Sequence, residues 1–600
     1  MAKVPLVIVK DCQVSPDRAP NDGSGRAEVE CTVFAADSGE TIGKVVLDPS
    51  ELDRAGGKVM EFDKGRGIAD TGEGRYRASV EVTSLTDPGT YELVARASTE
   101  NGGEGSCPLH LRVEYREPQY KGGPTAPGSK HALERAAGSR FVPGNLAVAL
   151  DSGEESYSRM METVRSARES VLLQTYALYS EGRCRKLVEE LLEKSSEDVS
   201  VNIILNLATQ VAISPRTTLQ LGLHRLGLEI EDLLKGFDDI FESWKGLSET
   251  FKDFQELMKN RAGPRGPDLI MVDDDVILGE EDDLPARRNN WLDKIVAERE
   301  GLEAVPGARF DWKGKGPAGL PSLPLLSYAV HEKMLIADGK RAVIGGRNLE
   351  DKYFSTWTDV DLYLEGPVVA EAEAGFVRSW NDFSSRIEKQ KQIEKTPSAP
   401  EEKGHHECCF VQSRPWLGET NTLDFLVTLF QTAEKSVLAI SQYIVLPDSL
   451  LRDAVLGAAK RGVNIKILMN SFETGQEVGF GGGYLLSLNY VDRLLDAGVE
   501  VYETTWPEDK KEGRPYLHAK EFVVDAEVAC VGSFNLSIRS SFIESENLVA
   551  VMDKGFAGDR ERLFNQRIES ARRVDGEYLD ELKKRLGNRI GIAAYFDLLY

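Results

Sequence analysis

SYAVHEKMLIADGKRAVIGGRN at residues 327–348 and RPYLHAKEFVVDAEVACVGSFN at residues 514–535 follow one pattern of polar and apolar residues, H-x-K-x4-D-x6-G-[GS]-x-N. The matching positions are His331, Lys333, Asp338, Gly345, Gly346 and Asn348 in the first copy, and His518, Lys520, Asp525, Gly532, Ser533 and Asn535 in the second. The chain has only seven histidines among its 600 residues, and two of them stand at equivalent positions 187 residues apart. Two complete matches indicate a duplicated unit.

The spacing within each copy indicates how its side chains are arranged. Residues i and i+2 of a β-strand project from the same face, so the His and the Lys of H-x-K are predicted to point together into one cleft. Apolar residues follow in both copies, MLI at 334–336 and FVV at 522–524, as expected of a buried strand. The Asp is then predicted to end the strand in a turn, and the small Gly/Ser pair lets a second backbone approach before the Asn returns to the same site.

The sequence that precedes each copy is duplicated as well. Residues 167–206 and 433–470 both have the pattern strand, helix, strand, and they begin and end on the same residue types. Apolar runs that alternate with helical segments are typical of an α/β fold. The chain is therefore predicted to contain two similar α/β halves.

The first half is longer than the second because of an insertion. From Asn206 to His331 there are 125 residues, whereas only 48 separate Asn470 from His518. The extra residues are predicted at about 207–320, and much of this stretch has the apolar spacing of helices. We expect its acidic segment, VDDDVILGEEDD, to be a solvated loop, with cation binding as the alternative.

The whole chain is predicted to divide into three folded parts and two linkers. Period-2 alternation with turn clusters at roughly ten-residue spacing predicts an immunoglobulin-like β-sandwich at the N-terminus. Pro, Gly and Lys residues mark the linkers. The predicted boundaries are 1–116 for the β-sandwich, 117–139 for the first linker, 140–385 for the first α/β half, 386–407 for the second linker and 408–600 for the second half with its C-terminal helices.

Charge and composition restrict the possible functions. Lys and Arg total 73 against 98 Asp and Glu, a net charge of −25, which argues against a sequence-independent DNA or RNA binder. No stretch reaches the roughly 18–20 consecutive apolar residues of a membrane-spanning helix, and MAKVPLVIVKD at the N-terminus is typical of a strand, not of a secretion signal. Seven cysteines, an odd number, argue against a disulfide framework. We therefore expect a cytoplasmic protein.

Two His, two Lys and two Asn that converge on one pocket suit a phosphodiester substrate. Ammonium and amide groups bind the non-bridging oxygens and stabilise the charge of the transition state. One imidazole attacks phosphorus, and the other protonates the leaving oxygen and then deprotonates the incoming nucleophile. A carboxylate follows each His at the same offset of 28 residues, Asp359 and Glu546, and is predicted to orient an imidazole. Protein cations hold the phosphate, so no metal is expected.

The two copies resemble the HKD motifs of the phospholipase D superfamily, and the resemblance covers about residues 140–600. It implies a duplicated, two-lobed α/β sandwich with the active site between the lobes. It also implies a covalent phosphohistidine intermediate, with His331 as the nucleophile, His518 as the general acid and base, and no cofactor. The implied catalytic residues are His331, Lys333, Asp338, His518, Lys520 and Asp525, and the implied phosphate ligands are Lys333, Asn348, Lys520 and Asn535.

Within that superfamily, the chain is similar to bacterial cardiolipin synthases and related phospholipases. It has GGRNLEDKYFSTWTDVDLYLEGPVV where they have GGxNxxDxY, WxD and EGPVV, and NLSIRSSFIESEN where they have N-x-[DS]-x-RS…E. The resemblance implies a phospholipase D or a phosphatidyltransferase that acts on glycerophospholipids. The N-terminal β-sandwich, the helical insertion and Ser537 depart from the pattern of those synthases. The acceptor is therefore left open between a glycerophospholipid, a small alcohol and water.

Other functions compete with this interpretation. An HKD-type nuclease would carry the same motifs, but the net charge of −25 and the lack of Lys/Arg clusters disfavour it. A non-catalytic binding protein is disfavoured because both motifs are intact. The expected partners are phospholipid at a membrane surface, bound peripherally, and a protein that binds the N-terminal domain. Export as an antibacterial phospholipase effector is the alternative to a cytoplasmic location.

Three other parts of the chain have patterns that partly resemble functional elements. HHECC at 405–409 is predicted not to bind a metal, because adjacent pairs cannot all face one ion. GFGGG at 479–483 lacks the Lys and Ser/Thr of a phosphate-binding loop and is predicted to be a flexible loop at the mouth of the cleft. The C-terminal segments 554–574 and 578–600 are predicted to be amphipathic helices that pack on the second half, with membrane contact as the alternative.

Overall fold

The structure is a computed structural model of the chain. It describes residues 7–35, 42–49, 60–61, 63–64, 73–86, 88–179, 182–206, 268–272, 329–385, 391–396, 401–446, 449–477, 481–505 and 516–587. Most of the predicted insertion at about 207–320, including nearly all of its acidic segment, lies outside the described residues.

The N-terminal region consists of strands in two sheets. The strands are β1 (Val7–Ser15), β2 (Arg18–Pro20), β3 (Gly25–Ala35), β4 (Ile42–Asp48), β5 (Met60–Glu61), β6 (Asp63–Lys64), β7 (Glu73–Val82), β8 (Gly89–Thr99) and β9 (Glu104–Glu114). One sheet has the order β1-β3-β7-β6 and the other β2-β9-β8-β4-β5. Burial alternates along β3 and β8, because every second side chain enters an apolar core that the two sheets share. The more specific prediction of an immunoglobulin-like domain stays a prediction.

The remainder of the described chain is a mixed α/β structure, as the sequence predicts. Its helices are α1 (Pro127–Ala137), α2 (Gly153–Ser166), α3 (Gly182–Ser196), α4 (Asp351–Ser355), α5 (Pro367–Ser384), α6 (Asn421–Thr432), α7 (Leu450–Lys460), α8 (Phe472–Glu477), α9 (Gly481–Asp496), α10 (Ile538–Phe542), α11 (Lys554–Glu569) and α12 (Gly576–Leu586), with a 3-10 turn at Pro415–Leu417. Its strands up to residue 365 are β10 (Val142–Leu150), β11 (Ser170–Thr175), β12 (Ser200–Asn206), β13 (Asp268–Val272), β14 (Ala329–Val330), β15 (Met334–Ala337), β16 (Arg341–Gly345) and β17 (Asp361–Glu365). The later strands are β18 (His406–Ser413), β19 (Ser436–Ile440), β20 (Asn464–Met469), β21 (Glu500–Glu503), β22 (Glu521–Val524), β23 (Val528–Gly532), β24 (Glu544–Met552) and β25 (Arg572–Val574).

These strands form one continuous sheet, and the strand order of one half repeats in the other. The order is β13-β12-β11-β15-β16-β17-β10-β18-β24-β23-β22-β19-β20-β21-β25, with β14 paired to β24. Strands β12-β11-β15-β16-β17-β10 therefore correspond to β20-β19-β22-β23-β24-β18. In each half, a strand-helix-strand unit places two strands in parallel, β11 with β12 and β19 with β20. The halves meet where β10 pairs antiparallel with β18.

The structure differs from the sequence predictions at three elements. The H-x-K residues do not lie within a strand: 331–333 are an irregular step between β14 and β15, and the corresponding residues precede β22. The predicted insertion is not wholly helical, because β13 adds a parallel strand next to β12. Gly481–Gly483, which belong to the predicted GFGGG loop, begin helix α9 instead. Short-range patterns miss the first two because strand pairing across the chain determines them.

The C-terminal elements lie against the second half. Helix α11 packs on β22, β23 and β24, and α12 packs on α9. Leu579, Leu582 and Leu586 of α12 are buried at the helical spacing that the sequence predicts. Among the described residues, no helix combines the length and apolar character needed to cross a bilayer.

Candidate active site

The first H-x-K histidine lies on the boundary between the two halves. Strand β14 pairs in parallel with the start of β24, and the backbone N–H of His331 donates to the carbonyl of Ser545 at 3.1 Å. This pairing places the imidazole Nδ1 of His331 at 3.0 and 3.1 Å from Oε1 and Oε2 of Glu546. Glu546 belongs to the second half, so the first histidine is held by a carboxylate from the other copy.

The second histidine repeats this arrangement in the opposite direction. The backbone N–H of His518 donates to the carbonyl of Thr358 at 2.8 Å. Its Nδ1 then lies 2.7 Å from Oδ2 of Asp359, a residue of the first half. The structure thus pairs His331 with Glu546 and His518 with Asp359, and both pairs cross the boundary. Each imidazole presents Nδ1 to a carboxylate, which leaves Nε2 for chemistry.

The two carboxylates are fixed by different neighbours. Glu546 accepts hydrogen bonds from the hydroxyls of Ser533 and Ser540, the latter at 2.5 Å. Asp359 accepts from the N–H of Val360 at 2.8 Å, and a Cβ added to Gly346 would come within 2.3 Å of its Oδ1. This explains why one copy has Gly where the other has Ser: the first half needs space at this position, and the second uses the hydroxyl as a donor.

A buried arginine holds the loop that carries Asp359. Arg347 is almost inaccessible and pairs with Asp361 at 2.9 Å. Its guanidinium also donates to the carbonyls of Asp359 at 2.7 Å and Tyr353 at 3.1 Å. Arg347 therefore fixes the backbone on either side of the loop, a role that the motif pattern does not reveal.

Both lysines of the motifs lie in the same buried cluster. Lys333 Nζ donates to the carbonyl of His331 at 2.5 Å and lies 5.4 Å from the ring centre of Tyr176. Lys520 Nζ lies 3.0 and 3.1 Å from the two ring nitrogens of His518. Burial lowers the pKa of Lys333 to about 8 and that of Lys520 to about 7, and the Lys333 charge adds to the effect on Lys520.

The histidines and their carboxylates have pKa values shifted mainly by burial. Desolvation, and then the Lys charges, lower the pKa of His331 and of His518 well below the usual value. Desolvation raises the pKa of Glu546 and of Asp359, and for Glu546 the neighbouring Glu544 charge adds to it. Both imidazoles are therefore neutral at pH 7, with a lone pair available for attack or for proton transfer.

The two motif asparagines face the same cluster through different partners. Asn348 Nδ2 lies 2.9 Å from the hydroxyl of Tyr353, and its Oδ1 is buried without a partner. The amide of Asn348 thus donates to Tyr353. Asn535 differs, because its Oδ1 accepts from Gln442 at 3.2 Å.

Asp338 and Asp525, which are predicted from sequence to be catalytic, lie outside this cluster and bind backbone amides. Asp338 Oδ1 accepts from the backbone N–H groups of Arg168, Glu169 and Ser170 at 3.1, 2.8 and 2.9 Å. Asp525 does the same for Glu434, Lys435 and Ser436 at 2.9, 2.7 and 2.9 Å. Each Asp has a positive φ, 53° and 56°, in the turn after its strand. These carboxylates fasten the start of β11 and β19, so they organise the fold.

Aromatic rings surround the histidines, and two of them, Tyr353 and Trp357, belong to the GGxNxxDxY and WxD segments. Tyr176 contacts His331 edge to face, with ring centroids 5.1 Å apart. Tyr353, Trp357 and Tyr516 form a separate buried cluster beside His518. Their ring centroids lie 4.8, 5.7 and 6.4 Å from the imidazole of His518. Such rings exclude water from the imidazole, which strengthens every charge interaction around it. Nothing in their spacing indicated this role.

Glu544 is a third carboxylate at the site. Its Oε2 lies 3.8 Å from Nδ1 of His331, and its Oε1 accepts from Arg539 at 2.7 and 2.9 Å. The sequence could have indicated that Glu544 lies near His331, because Glu544 and Glu546 are two residues apart on one strand and so share a face.

Two sets of described residues come close enough to suggest a metal site, but neither fits one. The carboxylates of Glu544 and Glu546 beside His331 already accept from Arg539, Ser533 and Ser540, and Lys333 adds positive charge. In the second set, His406 Nδ1 accepts from the N–H of Ala147, and Asp553 caps helix α11 while facing the exposed His405. The geometry thus provides protein cations, not metal ligands, next to the histidines.

Comparison with known proteins gives a family match for part of the chain. Residues 426–568 match the family described as cardiolipin synthase, phospholipase D-like domain. This segment is similar to a phospholipase D-like domain. The matched region includes His518, Lys520, Asn535 and Glu546. The resemblance predicted from the twin motifs is therefore confirmed.

Relatives of the phospholipase D-like domain carry names that agree with this match. The chain is 27% identical over 291 residues to the cardiolipin synthase of Halalkalibacterium halodurans, covering 46% of this chain and 53% of that one. It is 26% identical over 287 residues to cardiolipin synthase 2 of Bacillus cereus, covering 45% of this chain and 50% of that one. The chain thus spans about half the length of these curated relatives. A solved phosphatidylserine synthase of Haemophilus influenzae superposes with a TM-score of 0.49 at 11% identity, over 78% of this chain and 99% of that one.

Proposed function

We propose that this protein is a phospholipase D-like phosphodiesterase or phosphatidyltransferase that acts on glycerophospholipids. The observation that carries the proposal is the crossed pair of histidine–carboxylate contacts, His331 with Glu546 and His518 with Asp359, beside two buried lysines. The match to the cardiolipin synthase family supports a phospholipid as the substrate class.

The proposed reaction has two steps that use the histidines in turn. Nε2 of His331 attacks phosphorus, a P–N bond forms and the P–O bond to the leaving alcohol breaks. His518, which is neutral in the empty site and takes a proton from solvent when the anionic phosphodiester binds, gives that proton to the leaving oxygen. In the second step, His518 takes a proton from water or an acceptor alcohol, whose oxygen then displaces His331. Lys333, Lys520, Asn348 and Asn535 bind the non-bridging oxygens throughout. The mechanism needs no metal, because these groups neutralise the developing charge.

We also propose where the other parts of the chain act. The lipid headgroup lies at a bilayer surface, so the protein would work there as a peripheral enzyme. The two-sheet N-terminal region would be an immunoglobulin-like domain that binds a protein partner. It is joined to the second half by Glu117, which pairs with Arg461, and by Thr125, which donates to Glu527 at 2.6 Å.

Lipid product analysis tests the proposed function. Wild type, His331→Ala and the surface control His405→Ala would be incubated with mixed phosphatidylglycerol, phosphatidylethanolamine and phosphatidylcholine vesicles, with chelator and with or without a primary alcohol. We expect wild type and the control, but not His331→Ala, to form phosphatidic acid that gives way to a phosphatidylalcohol when alcohol is present. Cardiolipin as the main product would identify phosphatidylglycerol as the acceptor. No lipid turnover, with cleavage of single-stranded or duplex nucleic acid instead, would overturn the proposal.

A further inference from the structure

At one position beside the histidines, the two halves carry residues of different chemical type. The residue 26 positions after His518 is Glu544, and the residue 26 positions after His331 is Trp357. Because the pairing crosses between halves, Glu544 lies next to His331 and Trp357 lies next to His518. A carboxylate and an indole therefore occupy equivalent places at the two histidines.

His331 has two carboxylates beside its ring, whereas His518 has one. Its Nδ1 faces both oxygens of Glu546 at 3.0 and 3.1 Å and Oε2 of Glu544 at 3.8 Å. The nearby ammonium group of Lys333 is directed to the backbone carbonyl of His331. Two buried carboxylates thus act on this one imidazole.

His518 has the more positive and more apolar surroundings. It has one carboxylate, Asp359, at 2.7 Å. The ammonium group of Lys520 lies 3.0 and 3.1 Å from its two ring nitrogens, and Trp357 and Tyr353 cover it. A cation at this distance and apolar rings both disfavour a positively charged imidazole.

We infer that Glu544 is a positioning residue which, together with Glu546, favours the cationic form of the His331 ring and so stabilises the phosphoryl adduct that the proposed function places on His331. This inference rests on the proposed function. A phosphohistidine formed at Nε2 keeps its Nδ1–H and bears positive charge on the ring. Two carboxylates at Nδ1 stabilise that charge by Coulomb attraction, which is strong in a buried site.

Glu544 is held in a defined position. Its Oε1 is bound by Arg539, so Oε2 is the oxygen that faces His331. The titratable groups whose charges interact with Glu544 are His331, Glu546, Arg539, Lys333, Lys520 and Tyr176.

Glu544→Gln tests the inference, because the amide oxygen can still accept from Arg539 while the charge is lost. The first measurement is an NMR titration of the histidine Cε1–H signals, assigned with His331→Gln and His518→Gln. We expect the pKa of His331 to fall by about one unit, with His518 nearly unchanged. Glu569→Gln, which removes one exposed carboxylate from the end of α11, is the matched control and should move neither.

The second measurement follows the covalent step with bis(4-nitrophenyl) phosphate as the probe. In wild type, the first nitrophenolate leaves with formation of the adduct, and mass spectrometry of the quenched protein locates it. We expect the adduct on His331, and in Glu544→Gln we expect formation to slow about tenfold and breakdown to accelerate. A structural role alone would reduce both steps equally, through a smaller active fraction.

The outcomes separate the inference from the proposed function. An adduct on His331 whose formation and lifetime are unchanged in Glu544→Gln would overturn the inference and leave the proposed function intact. An adduct on His518 would overturn both the inference and the assignment of His331 as the nucleophile, while the proposed reaction class would stand. No adduct in wild type, with the pKa of His331 still lowered in Glu544→Gln, would overturn the proposed function and leave the electrostatic role of Glu544.

Discussion

Gly346 illustrates how a single residue controls the chemistry of the other half. Its missing side chain leaves room for the carboxylate of Asp359, which orients His518. The corresponding residue, Ser533, can carry a side chain because Glu546 lies at the right distance to accept its hydroxyl. The same position in the motif therefore serves two different carboxylates in two different ways.

Gly346→Ala should reduce activity without unfolding the protein. The new Cβ would come within 2.3 Å of Asp359 Oδ1, so the carboxylate must move and His518 loses its orienting partner. Displacement of a catalytic group by about 1 Å can cost roughly a hundredfold in rate, and overpacking costs about 1–3 kcal/mol in stability. Steady-state kinetics and thermal melts measure the two effects.

Gly558→Ala is the matched control for this substitution. A Cβ at Gly558, within helix α11, meets nothing within 4 Å. We expect unchanged kinetics and a gain of about 0.5–1 kcal/mol from the higher helix propensity of Ala. Equal loss of activity in both variants would contradict the role assigned to Gly346.

Among the candidate site residues, those with distinctive side chains could be predicted from sequence, and those defined by neighbours could not. The histidines, lysines, asparagines and the 28-residue carboxylate offsets follow from comparing the two copies. Tyr176, Arg347 and Glu544 were not predicted to act at the site, because their significance depends on which half they face. The Asp of each motif was predicted to be catalytic, and the structure places it against backbone amides.

At the scale of elements, the turns after β15 and β22 each bind the start of a neighbouring strand in the same half. Each turn presents an Asp in the left-handed region to three successive amides that begin the neighbouring strand. These amides would otherwise be partly buried without acceptors. The Asp of each motif therefore has a structural role.

Asp338→Ala should destabilise the fold and spare the chemistry. Loss of the acceptor leaves the amides of Arg168, Glu169 and Ser170 without this partner, at a cost of about 1–3 kcal/mol, and Ala is strained at a φ of 53°. At a temperature where the variant is folded, kcat should stay within about twofold of wild type.

Asp338→Asn provides the comparison for this prediction. Asn tolerates the left-handed conformation and keeps one oxygen acceptor, so it should recover part of the lost stability in urea unfolding. A loss of kcat in Asp338→Asn comparable to that of His331→Ala would instead support a catalytic Asp and contradict the structural assignment.

Element type was easier to predict than element boundaries. The strand-helix-strand units at β11-α3-β12 and β19-α7-β20 follow from local apolar patterns, which is why they were predicted. The H-x-K residues were predicted to lie within a strand, but they form an irregular step. The cause is the pairing of β14 with β24 of the other half, a contact between residues more than 200 positions apart. Such pairing leaves no local signal.

At the scale of the whole molecule, the halves are joined by a strand pair and by a buried charge network. Arg560 of α11 binds Asp151, which follows β10 of the first half, and Glu521 of β22 in the second half. Arg567 reinforces both contacts. Arg560 is 4% exposed, so its charge interactions are poorly screened by solvent.

Arg560→Met should loosen the junction between the halves. Removing the cation leaves Glu521 buried beside fewer positive charges, and breaking a buried pair costs about 3–5 kcal/mol. We expect calorimetry to show a lower melting temperature and a transition that broadens or splits as the halves begin to unfold separately. Arg562→Met, which removes an exposed pair with Asp559, should change stability by less than about 1 kcal/mol.

The crossed contacts between His331 and Glu546 and between His518 and Asp359 make activity a property of the joined halves. Neither half contains a complete histidine–carboxylate unit of its own. If the halves are expressed as two fragments, each should be inactive alone, and turnover should return only when the fragments associate. Two such fragments, each fused to another protein, would then report by their activity whether the two fusion partners lie close together.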